Sequence, residues 1–171
     1  MTYIRGMSGR NASILLVSAL VALGAVGIAL VLQHGFGMEP CAWCTFQRLL
    51  YLVFAALAAL AWLSARQRIV TSVFAGLALV TALAGLWAAL HQQFVAAKSL
   101  SCSFTFADRA LMNLRLDETL PWLFAATASC GEANVPLLGI PFAWWSATLF
   151  GLLALAAARA VWRVCVAGEK A

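Results

Sequence analysis

Four stretches of this chain run without a charged side chain for long enough to cross a lipid bilayer, and that spacing limits the fold more than any other feature. Between Arg10 and Glu39 lie 28 uncharged residues, between Arg48 and Arg66 17, between Arg68 and Lys98 29, and between Glu132 and Arg159 26. A hydrocarbon core of about 30 Å takes a helix of roughly 20 apolar residues. The second stretch is short, since at about 1.5 Å per residue it reaches only ~25 Å, so its helix should recruit residues 45–48 as an outer turn. Residues 119–131 are also uncharged, but 13 positions are too few to span. The expectation is an all-α membrane protein, a four-transmembrane-helix bundle in a single domain over residues 1–171. Its spans should lie near 12–32, 45–65, 70–91 and 141–161, with outer loops near 33–44 and 92–140.

Composition agrees with a lipid solvent. The chain is 64% hydrophobic and only 10% charged, with mean hydropathy +0.94, where a soluble domain carries about a quarter charged residues. A net charge of +5 does not point to nucleic acid, because the eleven Lys and Arg are scattered and form no basic face. Topology explains them better. With the N-terminus inside, the cytoplasmic pieces hold Arg5, Arg10, Arg66, Arg68, Arg159, Arg163 and Lys170, and the outer pieces hold Arg48, Lys98, Arg109 and Arg115. The positive-inside rule then puts both termini in the cytoplasm, with every acid but Glu169 outside. Trp43, Trp87, Trp144 and Trp145 should mark the outer interface, Trp62 and Trp162 the inner one. The first apolar stretch, from Ala12 to Leu32, exceeds a signal-peptide core of about 7–15 residues and has no clean small-residue cleavage site after it, so it is expected to stay as a helix.

Four of the five cysteines fall on the outer side: Cys41 and Cys44 in the first loop, Cys102 and Cys130 in the second. An even number facing an oxidising compartment suggests disulfides. The second pair, 28 positions apart, suits a plain loop staple as well as chemistry. Cys165, at the inner end of the last span, is expected to be an ordinary interfacial thiol. The stretch "EPCAWCTFQRLLY" (39–51) is different. Closing a two-residue gap restricts the unfolded chain very little, so stability is a poor reason for that pair. Pro40 suits a turn, and a helix beginning close to Cys44 would set its sulfur near free N–H groups and the positive end of the dipole, favouring thiolate. Arg48 follows Cys44 by four residues and projects from the same face one turn deeper. It is either an arginine reaching out to the interface or the cation beside a nascent thiolate.

Three classes of function fit these residues. A Cys₄ zinc site is possible in kind, but the 28-residue separation and the oxidising exterior count against it. A structural bundle with two staples is the second. The third is a thiol relay, in which a dithiol in the polar loop meets a soluble partner and a dithiol at the lipid edge meets a lipid-dissolved two-electron acceptor, most naturally a quinone. The segment "ALMNLRL" (110–116) is either a loop helix or one lying on the membrane surface.

The motif P-C-x-x-C-x-x-x-R at the second span, four spans and a second cysteine pair in a long outer loop resemble the DsbB family of bacterial disulfide-bond formation proteins. "QHG" (33–35), "LDETLPWLFAATASCGE" (116–132) and "IPFAWW" (140–145) follow the family pattern and extend the resemblance over most of the chain. The resemblance implies an inner-membrane thiol:quinone oxidoreductase facing the periplasm, with no metal, or else a paralogue devoted to one substrate. Cys102–Cys130 would be the disulfide that oxidises a DsbA-like periplasmic thiol oxidase, with Cys102 taking the mixed disulfide. Cys130 would then attack Cys41 and release Cys44 as thiolate toward ubiquinone or menaquinone. Arg48 would stabilise that thiolate and the charge on the quinone, and His91 would flank the ring. A DsbA potential near about −120 mV requires an acceptor of this kind.

Overall fold

The computed structural model describes residues 9–98 and 105–169. Cys102, Arg5 and Lys170, to which the sequence assigns a redox role or a share of the charge bias, lie outside the described residues. Helices α1 (Gly9–Phe36), α2 (Ala42–Leu63) and α3 (Arg68–Phe94) are followed by a 3₁₀ turn, Ala96–Lys98. The described part of the long loop holds three short helices, α4 (Phe106–Asn113), α5 (Leu116–Thr119) and α6 (Pro121–Phe124). A two-residue hairpin, β1 (Pro136–Leu137) with β2 (Ile140–Pro141), leads into α7 (Phe142–Glu169). Among the described residues, four segments are long and apolar enough to cross a membrane: Ser13–Phe36, Ala42–Leu63, Arg68–Lys98 and Phe142–Val166. The chain is an all-α membrane protein of four spanning helices.

Small residues set the packing. Water does not drive helices together inside lipid, so close backbone approach and dispersion must do so, and that favours alanine and glycine at the seams. Ala55, Ala58 and Ala61 of α2, Ala75, Ala78 and Ala82 of α3, and Ala154, Ala157 and Ala160 of α7 are all buried. The faces turned outward carry Val17, Leu20, Ile28, Val73, Val80, Leu152 and Leu155. A membrane bundle therefore shows its large apolar side chains on the outside. Helix α2 packs between α1 and α3, α3 between α2 and α7, and α7 closes back on α1. Gly85 is where α3 and α7 meet most closely: a Cβ there would lie 2.2 Å from the Phe150 ring. That ring stacks in turn on Tyr51 of α2, centroids 3.9 Å apart.

The turn between α2 and α3 is closed by its own polar groups, with the Thr71 hydroxyl donating to the Ser64 carbonyl at 2.6 Å. Beside it the Arg68 guanidinium donates to the carbonyls of Val164 and Cys165 at 2.8 and 2.7 Å, tying α3 to the far end of α7. Cys165 itself is exposed.

The long loop lies against the opposite end of the bundle. A capping box starts α4, where the Thr105 backbone N–H donates to Asp108 Oδ2 at 2.7 Å and the Asp108 N–H returns to the Thr105 hydroxyl. Leu111 of α4 and Leu123 and Phe124 of α6 are buried in the main core, while Met112 and Leu114 stay exposed. Leu111 thus roots the "ALMNLRL" segment in the bundle. Arg115, in the left-handed region at φ 51°, breaks the chain between α4 and α5. Among the tryptophans expected at the outer interface, Trp87, Trp144 and Trp145 are exposed but Trp43 is only 2% exposed. Aromatic neighbours claim it: its ring centroid lies 4.5 Å from His91, 5.8 Å from Trp87 and 6.1 Å from Phe46.

Candidate active site

Helix α2 begins at Ala42, two residues before the start anticipated from the sequence, so Cys41 is the N-cap and Cys44 the third residue of the first turn. Extended backbone at Cys41 (φ −89°, ψ 170°) after Pro40 lets the helix start there, and the Cys41 carbonyl accepts the Thr45 N–H at 3.0 Å. Cys41 is completely buried and Cys44 half-buried, with their sulfurs 3.0 Å apart. The Cys44 sulfur also accepts a hydrogen bond from Gln92 Nε2 at 3.2 Å. This first turn supplies the dipole environment expected for a thiolate.

The two loops meet at this point. The Pro40 carbonyl accepts the backbone N–H groups of Thr127 and Ala128 at 3.0 and 3.3 Å. That brings Cys130, half-buried, against Cys41 and Trp43. The thiols of Cys41 and Cys130 share a hydrogen bond, which holds Cys130 below and Cys41 well above the usual thiol range. Burial raises both, and the Trp43 backbone N–H adds a further downward pull on Cys130. Two residues on, Glu132 is held below the carboxylate range by the Ser129 hydroxyl and N–H, at 2.7 and 3.0 Å, in a bracket that shapes the turn around Cys130.

Arg48 is 5% exposed, its guanidinium enclosed by protein. Its Nη1 donates to Gln33 Oε1 of α1 at 2.6 Å and to the Leu123 carbonyl of α6 at 2.9 Å. A cavity of about 410 Å³ opens beside it. Cys44, Gln47, Arg48, Tyr51, Gln92 and Ser146 form its polar side, and Ala25, Ile28 and Leu32 of α1 with Trp145, Leu149 and Leu152 of α7 form its apolar walls. Its volume lies within the roughly 300–1,000 Å³ of ordinary small-molecule sites. His91 does not line this cavity; its ring packs between Trp43 and Trp87, centroids 4.5 and 5.2 Å away.

The structure brings Cys41, Cys44, Cys130 and Arg48 together at one end of the bundle. It adds Gln47, Gln92, Tyr51 and Ser146, which were not singled out from the sequence, and it gives Gln33 a partner. A signal for them existed, because buried polar side chains inside otherwise apolar spans are costly and need a reason.

Thiols from a loop and from the head of a membrane helix that pack against one another have disulfide exchange as their evident chemistry. Fold and site together define a membrane-embedded thiol–disulfide oxidoreductase. Similarity to known proteins narrows the class, since the family model of Disulfide bond formation protein DsbB matches residues 11–160. The chain belongs to the DsbB family. It is 29% identical over 150 residues to Disulfide bond formation protein B of Ralstonia nicotianae, covering 87% of this chain and 92% of that one. To the protein of the same name from an Azoarcus species it is 33% identical, with 82% of each chain covered. To that of Pseudomonas syringae pv. tomato it is 31% identical, covering 85% and 86%. The molecule is a multi-pass membrane protein of disulfide-bond formation.

Proposed function

We propose that this protein sits in a bacterial inner membrane with its cysteines toward the periplasm, reoxidises a DsbA-like thiol oxidase and delivers the electrons to a membrane quinone. The observation that carries this reading is the contact of Cys130 with Cys41 next to Cys44, at the polar end of a cavity with apolar walls. The cycle starts from two disulfides, Cys102–Cys130 and Cys41–Cys44. A thiolate of the partner attacks Cys102, forming a mixed disulfide and leaving Cys130 as thiolate. Cys130 attacks Cys41; the Cys41–Cys130 bond forms, the Cys41–Cys44 bond breaks, and Cys44 leaves as thiolate. The partner's second thiolate resolves the mixed disulfide and frees Cys102, which attacks Cys130, restores Cys102–Cys130 and releases Cys41. Two electrons then reside on the Cys41 and Cys44 sulfurs. The quinone supplies the two-electron, two-proton acceptance that returns this pair to the disulfide.

The residues present fit such a group. A flat ring with a lipid tail suits a cavity walled by α1 and α7, and Arg48 and Gln47 offer donors at its polar end. Arg48 also sets a fixed positive charge near the sulfur that must carry negative charge. Its burial strengthens that effect, because an enclosed charge is screened far less than one in water. The direct test uses purified full-length protein with a reduced DsbA-type protein as donor, following ubiquinone and menaquinone reduction by absorbance. Reduction of one of them in step with oxidation of the donor is expected. Donor oxidation without reduction of either quinone overturns the acceptor assignment.

A further inference from the structure

The hydrogen bonds behind Cys44 all point the same way. The Ser146 hydroxyl donates to Gln47 Oε1 at 2.5 Å, Gln47 Nε2 donates to Gln92 Oε1 at 2.6 Å, and Gln92 Nε2 donates to the Cys44 sulfur at 3.2 Å. At the far end the Tyr51 hydroxyl reaches the Ser146 carbonyl at 3.2 Å and the Ser146 hydroxyl oxygen at 3.1 Å. The chain crosses from α7 through α2 to α3 and ends on sulfur. Gln47, Gln92 and Ser146 are 4%, 1% and 8% exposed, so protein neighbours and not bulk water set their orientation.

A carboxamide has one end that only donates and one that only accepts. The chain is therefore a row of dipoles with positive ends toward Cys44, and it cannot hand a proton along. Each bond fixes the sense of the next, and in a low-dielectric interior such bonds polarise one another. A donor aimed at a sulfur favours the charged form, because hydrogen bonds to ionised groups are about twice as strong as neutral ones. Arg48 does not fill this place, since the hydrogen bonds of its Nη1 go to Gln33 and Leu123. Gln92 makes the side-chain amide contact to Cys44, and Arg48 acts through its field.

We propose that Gln92 is a positioning residue for the reaction, holding the Cys44 sulfur as thiolate, and that Gln47 and Ser146 orient its amide from the opposite side of the bundle. The inference rests on the reading of Cys44 as the sulfur released toward the quinone. On that reading Cys44 is the leaving group when Cys130 attacks Cys41, and a stabilised leaving thiolate speeds the exchange.

The test isolates one thiol in the full-length chain. Cys41→Ser, Cys102→Ser, Cys130→Ser and Cys165→Ser together leave Cys44 as the only cysteine, and its alkylation by iodoacetamide is followed from pH 5 to 10. Gln92→Met keeps the volume and removes the donor. It is expected to slow alkylation at neutral pH about tenfold and move the profile about one unit to higher pH. Ser146→Ala, which touches neither Cys44 nor Gln92, should shift the profile the same way by about threefold in rate, and Ser146→Thr should restore it. A purely structural loss lowers the reactive fraction at every pH and leaves the midpoint in place, and melting of the same samples separates that case. A Gln92→Met profile that overlays the parent, or moves to lower pH, overturns the proposal; an unchanged Ser146→Ala profile overturns the orienting chain. No quinone and no protein partner is present in this assay. Failure of the proposed function therefore leaves the result readable, and failure here leaves that function standing.

Discussion

At Arg48 charge and shape can be separated by two substitutions. Its Nη1 serves Gln33 and the Leu123 carbonyl while the cation lies one helical turn below Cys44. Arg48→Lys keeps the charge but loses the planar fork, so it should retain part of the quinone reduction rate. Arg48→Gln removes the charge as well and should lose about tenfold or more, since each unit of thiolate stabilisation is worth about 1.4 kcal/mol. Rates and apparent quinone affinity at matched membrane levels decide it; equal kinetics for Arg, Lys and Gln would return Arg48 to a structural role. Cys130 yields a pH prediction. Its folded value lies below that of an ordinary thiol because Cys41 donates to it. The resulting stabilisation of the thiolate is complete above the ordinary thiol range and is lost as pH falls through the lowered value. In the reduced protein Cys130 should therefore be alkylated faster than Cys41 at neutral pH, and Cys41→Ala should slow Cys130 several-fold. Mass spectrometry of the modified sites reads both, and Cys41 reacting first would contradict the assigned direction.

Among the elements, α3 and α7 are held at a distance that one hydrogen-for-methyl exchange should disturb. A Cβ at Gly85 would meet three Phe150 ring atoms at 2.2 to 2.4 Å, and that ring is wholly buried and stacked on Tyr51. Gly85→Ala should destabilise the protein by about 1–3 kcal/mol, as overpacking usually does. Gly24→Ala is the control: nothing lies within 4 Å of its added methyl, and alanine is the better helix former by about 1 kcal/mol. Unfolding in mixed micelles should place Gly85→Ala below the parent and Gly24→Ala at or above it. Adding Phe150→Leu should recover part of the Gly85→Ala loss; no recovery would mean the strain lies elsewhere. The spanning helices themselves were legible in the sequence, because a charge-free run of this length has few other uses. The start of α2 was less so. Pro40 marked a turn, but that the first helical turn starts at Ala42, with Cys41 as an extended N-cap buried in a cluster with loop residues, is seen only in the structure.

For the whole molecule, the proposed function depends on two loops meeting at one end of the bundle. If Cys130 resolves what Cys102 captures, Cys130→Ser should let a mixed disulfide between Cys102 and the DsbA-like partner accumulate in cells, visible as a shifted band on a non-reducing gel. No such band with both proteins present would remove Cys102 as the first acceptor. The sequence by itself determined the solvent, the four spans, the cysteine motif with Arg48 and the family, since hydropathy and short-range spacing are local properties that need no packing to be read. Other features are settled only in three dimensions. Cys130 reaches Cys41 because the Pro40 carbonyl captures residues 127 and 128, a contact across more than 80 positions. Gln47, Gln92 and Ser146 gain meaning only when α2, α3 and α7 bring them within hydrogen-bond reach. Trp43 turns inward because His91 and Trp87 are there to receive it. Sequence separation says nothing about such partners: lipid leaves the choice of which helix faces touch to shape and polar matching, and those belong to the assembled bundle.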